Sequence, residues 1–125
     1  MAGILQSNQS AIYTGLSPML YKFKSKAAGD LIMLEPTGRK VLQVIGKEPG
    51  AKGIVEVVQM AAAIEALKAA IAQEEADLKA AEEAALAKGE VPPKPPEINL
   101  RQKAWPFVEM LQRCLKDAEP IVWGV

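Results

Sequence analysis

The run "QMAAAIEALKAAIAQEEADLKAAEEAALA", residues 59–87, limits the possible folds more than any other stretch. Alanine is the best helix former, and neither proline nor glycine interrupts the run, so it predicts one long helix. At about 1.5 Å per residue the helix spans about 43 Å. A domain of this length has a radius of gyration of only about 14 Å. The helix is therefore expected to project beyond the body or to meet a partner there. Met60, Ile64, Leu67, Ile71 and Leu78 form an apolar stripe with heptad-like spacing. Glu74 places a charge on that seam, and beyond Leu78 only Ala81 and Ala85 continue it. The first half should be buried and the second largely solvated, with Glu75 and Lys79 able to pair across one turn. Ile71, Leu78, Ala81 and Ala85 are the residues expected to meet a protein partner or a second copy of the chain.

The remaining segments read as shorter elements. "LYKFKSK", residues 20–26, alternates: Tyr21 and Phe23 point one way, and Lys22, Lys24 and Lys26 the other. That period predicts a half-buried strand. "AAGD" predicts a turn, and the apolar "LIML" a second strand over 31–35. The second strand reads as the central one and the lysine-bearing first as peripheral, since lysines blunt sheet edges. Thr37 is a candidate N-cap for a helix over 37–46, with Gly46 as its end. "IVEVV", residues 54–58, is a short strand or the entry to the long helix. "KGEVPPKPPEI", residues 88–98, predicts a semi-stiff proline-rich connector rather than a recognition motif.

Asn99 and Gln102 match a capping box, so a helix over 99–117 is expected. Pro106 falls inside it. Either the helix continues through the proline with a bend, or it begins there with proline at its first position. The stripe Leu100, Ala104, Phe107, Val108, Leu111, Leu115 runs through in phase and favours continuity. Trp105 reads as a lid on the core. "PIVWGV", residues 120–125, predicts a last strand paired inside the sheet. Residues 1–18 read as an N-terminal tail, and 19–125 as one α+β domain. Its small sheet of three or four strands is expected to be covered on one face by three helices.

Composition narrows the chemistry. The chain has no histidine and one cysteine, Cys114. A histidine-dependent triad is excluded, a zinc site within one chain practically so, and no internal disulfide can close. Catalytic residues, cofactor and metal are all expected to be absent. A lone thiol suits a reducing cytoplasm, and no apolar run approaches the ~20 residues of a membrane span. Asp30 and Glu35 read as turn and boundary residues, and the acids of the long helix as a solvated face. Lysines and arginines number 15 and so do the acids. A net charge of zero disfavours a dedicated nucleic-acid binder. Charge is nevertheless uneven: residues 19–53 carry seven positive and three negative side chains, and residues 54–90 three and eight. Lys22, Lys24, Lys26, Arg39 and Lys40 are the candidate anion-binding group.

Four blocks, "MLYKFKSKAAGDLIMLEP", "VLQVIGKEPGAKGI", "LRQKAWPFVEML" and "IVWGV", occur in an order that resembles a family of short proteobacterial proteins. That family is catalogued only as a domain of unknown function. The resemblance spans residues 19–125. It implies a bacterial cytoplasmic protein and assigns no catalytic residue. The leading expectation is a non-enzymatic interaction or accessory module working through a protein partner or self-association. The rival is anion or nucleic-acid binding through the basic group.

Overall fold

Tyr21 and Phe23 alternate with Lys22 and Lys24, and this pattern folds as expected into a strand with its aromatic side inward. The computed structural model describes residues 20–124. The expected tail 1–18 and the terminal Val125 lie outside the described residues. A hairpin of β1 (Leu20–Ser25) and β2 (Ala28–Leu34) leads directly into α1 (Glu35–Val44). β3 (Gly53–Val55), α2 (Val57–Ala87), α3 (Leu100–Asp117) and β4 (Ile121–Trp123) follow. The strands form one four-stranded antiparallel sheet in the order β2-β1-β4-β3. The architecture is α+β, with the three helices over one face.

The strand order corrects the expected one. β1 lies inside the sheet between β2 and β4, while β2 forms an edge. Lys22 and Lys24 therefore point off the sheet's open face rather than guard an edge. The hairpin turn also lies earlier than expected, at Lys26–Ala27, where Ala27 N–H donates to Ser25 Oγ at 3.2 Å. Gly29 and Asp30 belong to β2, and Asp30 pairs with Lys22 at 3.7 Å.

Helix α1 begins at Glu35, not after Thr37, with Leu34 as its N-cap residue. Pro36 interrupts nothing. It sits in the first turn, where its missing N–H would have had no helical partner. Gly46, at φ +83°, follows the helix end as expected. Gly38 is buried on α1 because the Tyr21 ring lies where a β-carbon would be. Val57 and Val58 open α2, so only Gly53–Val55 pairs as a strand.

Along α2 the buried seam runs through Met60, Ala63, Ile64, Leu67 and Ile71. The helix then stops as a glycine-terminated end. Gly89, at φ +72°, donates to Leu86 O at 3.1 Å, and Glu90 N–H to Ala85 O at 2.8 Å. The proline-rich stretch has to return over the last turns of α2, because Leu100 N–H donates to the Glu74 carboxylate at 2.9 Å. Asn99 and Gln102 complete the start of α3 reciprocally, at 2.8 and 3.1 Å. Glu74, which reads in sequence as a fault in the seam, is thus an additional cap for the next helix. Glu74→Ala is expected to cost about 1 kcal/mol, the usual value of a lost cap. It should show as a lower denaturant midpoint at unchanged slope, and Glu74→Gln should recover part of the loss.

Helix α3 is continuous through Pro106, which sits on its exposed side. The Gln102 carbonyl that loses its N–H partner there can turn to water. The inward residues are Leu100, Ala104, Phe107, Val108, Met110, Leu111 and Cys114. Leu115, expected on that stripe, is 36% exposed. The core centres on Phe23, fully buried against Phe107 (4.8 Å), Tyr21 (5.9 Å) and Trp123 (5.9 Å). Trp105 is half-buried against the core under the Arg101 guanidinium, 5.6 Å from the ring centre.

Candidate functional site

Alternation on each strand sends one set of side chains to the helices and leaves the other on the open face. On β2 that second set includes Ile32 (55% exposed) and Leu34 (64%). The register places Leu20 opposite Leu34 and Lys22 opposite Ile32. Further across the sheet, Lys24 lies opposite Val122, and Val122 opposite Ile54. Leu20 and Ile54 are half-exposed, and Val122 is partly exposed. The open face therefore carries two apolar groups, Leu20, Ile32 and Leu34 on β1 and β2 and Ile54 and Val122 on β3 and β4, with Lys22 and Lys24 between them and Asp30 to one side.

The loop between α1 and β3 is pinned to this sheet by two side chains. Tyr21 Oη donates to Pro49 O at 2.8 Å, and the Trp123 indole N–H to Gly50 O at 3.1 Å. Pro49 and Gly50 then line a depression with Lys22, Glu35 and Arg39. This depression joins two of the candidate anion-binding residues. The others are elsewhere: Lys24 and Lys26 line a second depression with Glu119, Pro120 and Val122, and Lys40 a third with Glu74 and Lys103. Five cations that sequence groups as one patch are thus divided among three places, each of which also holds a carboxylate: Glu35, Glu119 and Glu74.

The interface residues expected on α2 also separate. Ile71 is buried in the core, and Ala85 is buried at the helix end where Glu90 turns back onto it. Neither is available to another molecule, which corrects that part of the expected seam. Leu78 and Ala81 are half-exposed. Glu75 pairs with Arg101 rather than Lys79, through two hydrogen bonds of 2.9 and 3.0 Å. Those bonds hold the Glu75 carboxyl below its usual range and raise the Arg101 guanidinium. The pair's contribution is present above the unfolded carboxyl's titration and is lost as pH falls through the lowered value.

Among the described residues no polar or charged side chain is buried, and no three acidic, cysteine or histidine side chains cluster to hold a metal ion. Cys114 is a buried thiol within the core. No helix among them is long and apolar enough to cross a membrane. The open sheet face was missed in sequence, although its residues were in view. Ile32 and Leu34 read there as part of an apolar run on the strand taken as central. A family model described as Domain of unknown function (DUF1840) matches residues 19–123. No curated protein and no solved structure matches the chain.

Proposed function

The chain belongs to the DUF1840 family, and on that premise we propose that it is a non-enzymatic interaction module of the bacterial cytoplasm. Its docking surface is the open face of the sheet. The observation that carries this reading is the set of exposed apolar side chains on one face, Leu20, Ile32 and Leu34 on β1 and β2 and Ile54 and Val122 on β3 and β4, facing away from the helices with Lys22 and Lys24 between the two groups. Exposed apolar groups rimmed by polar residues mark interaction sites. The charges set among these side chains are Lys24 and the pair that Lys22 makes with Asp30 at 3.7 Å. The partner that fits is a protein surface combining apolar side chains with carboxylates.

Photo-crosslinking in the source cell tests this. A photoreactive residue at position 32 is expected to give discrete protein adducts, and one at position 83, on the exposed side of α2, none. Lys22→Glu with Lys24→Glu should abolish the adducts from position 32. Equal labelling from both positions would defeat the proposal. A second reading, anion binding, is favoured only by the joining of Lys22 and Arg39 in one depression. Glu35 in the same depression weakens it.

A further inference from the structure

The outer edge of β2 is a second surface, distinct from the open face. Edge strands are ordinarily protected by lysine, proline, a bulge or a covering element. β2 is seven residues long, "AGDLIML", and has neither lysine nor proline. Its single charge, Asp30, is paired with Lys22. The lysines that would protect an edge stand instead on β1, inside the sheet. β2 does carry one bulge near its start: Phe23 opposes Leu31 and Ser25 opposes Ala28, so the extra residue lies between Ala28 and Leu31, and the ladder from Leu31 to Leu34 is regular.

Beside this edge runs a groove of about 470 Å³ between β2 and α3. Ala28 to Leu31 line one wall; Glu109 and Arg113 stand on the other, with Pro106 and Met110. A β-carbon added at Gly29 would meet nothing within 4 Å, so the groove is open there. Glu109 and Arg113 are exposed and one helical turn apart, yet neither forms an ion pair within the described chain.

The geometry points to a second copy of this chain as the occupant, joined by antiparallel pairing of β2 with β2 across a two-fold axis normal to the sheet. Such a contact is isologous, so each residue that meets the partner is met in turn. The axis would set the two α3 helices antiparallel on the same side of the joined sheets. Glu109 of each copy then faces Arg113 of the other. Opposite charges one turn apart are the arrangement an antiparallel two-fold needs, because the pattern complements itself. The joined sheet has eight strands and offers the open face twice.

Sedimentation equilibrium of the full chain over a range of concentrations is the test. The unaltered protein is expected to reach twice the chain mass. Glu109→Arg and Arg113→Glu, made singly, place like charges across the axis and should each weaken the dimer at least about tenfold. The double variant restores opposite charges and should return the dissociation constant towards its original value. Ile32→Glu, on the exposed side of β2, should also dissociate it. Both helix positions are exposed, so thermal melts of all variants should match and exclude unfolding as the cause. A protein that stays monomeric at every concentration overturns the inference, and leaves the edge to a foreign strand. So does a dimer indifferent to these charges, or one that both single changes weaken and the double change does not restore.

Discussion

Phe23→Ala is expected to destabilise the domain by about 3–5 kcal/mol, the range for emptying a buried aromatic site. Phe23 is fully buried and touches three other rings from three elements: Tyr21 on β1, Phe107 on α3 and Trp123 on β4. Its removal leaves a cavity where the sheet meets the helix layer. The ring neighbours cannot collapse into it without moving β4 or α3. Set against a total stability of about 5–15 kcal/mol for a typical domain, this is a large share. The melting temperature should fall by about 10–20 °C. A calorimetric loss equal to that of an exposed alanine substitution would show that the core lies elsewhere.

Trp123→Ala is expected to cost a similar amount, about 3–5 kcal/mol, and to act on a different part of the molecule. Trp123 is 2% exposed, opposes both Phe23 and Gly53 in register, and anchors the loop through Gly50 O. Gly53 is glycine because the six-membered part of the indole lies where a β-carbon would stand. Gly53→Ala should therefore cost about 1–3 kcal/mol by overpacking. The two sites share one space, so their effects should not add. The doubly substituted protein should be more stable than the sum of the single losses predicts, because the alanine β-carbon then occupies room the indole has left. Strict additivity in denaturant unfolding would refute this account of Gly53.

These positions show what sequence could and could not reveal. The alternation at Tyr21–Lys24 disclosed a strand and its faces. The Asn99–Gln102 pair disclosed a helix start, and the in-phase stripe carried that helix through Pro106. All three signals are local, and the structure keeps them. Strand neighbours are not local. Side-chain period reports which face a lysine occupies, but not whether another strand lies alongside its backbone, so β1 read as an edge and β2 as central. Glu74 failed for the same reason: its partner, Leu100 N–H, is 26 residues away. Ile71 and Leu78 belong to one repeat, yet only Ile71 reaches the core, because the packing of α3 against α2 decides where burial ends. Of the candidate site, the cations were legible as residues and illegible as a constellation. Their distribution among three depressions follows from the fold.

The strand order carries a consequence for synthesis. β4 joins β1 to β3, so the sheet is held together by a strand that leaves the ribosome after the other described elements. Until residue 123 has emerged, the nascent chain holds a two-stranded ribbon, helices without a complete floor, and Gly53–Val55 with nothing to pair. Such a ribbon is not stable alone. Closure must wait for contacts separated by most of the chain, which slows it. A translational pause before Ile121 would prolong exposure of Phe23 and Phe107, and chaperones that hold unfinished chains would find them there.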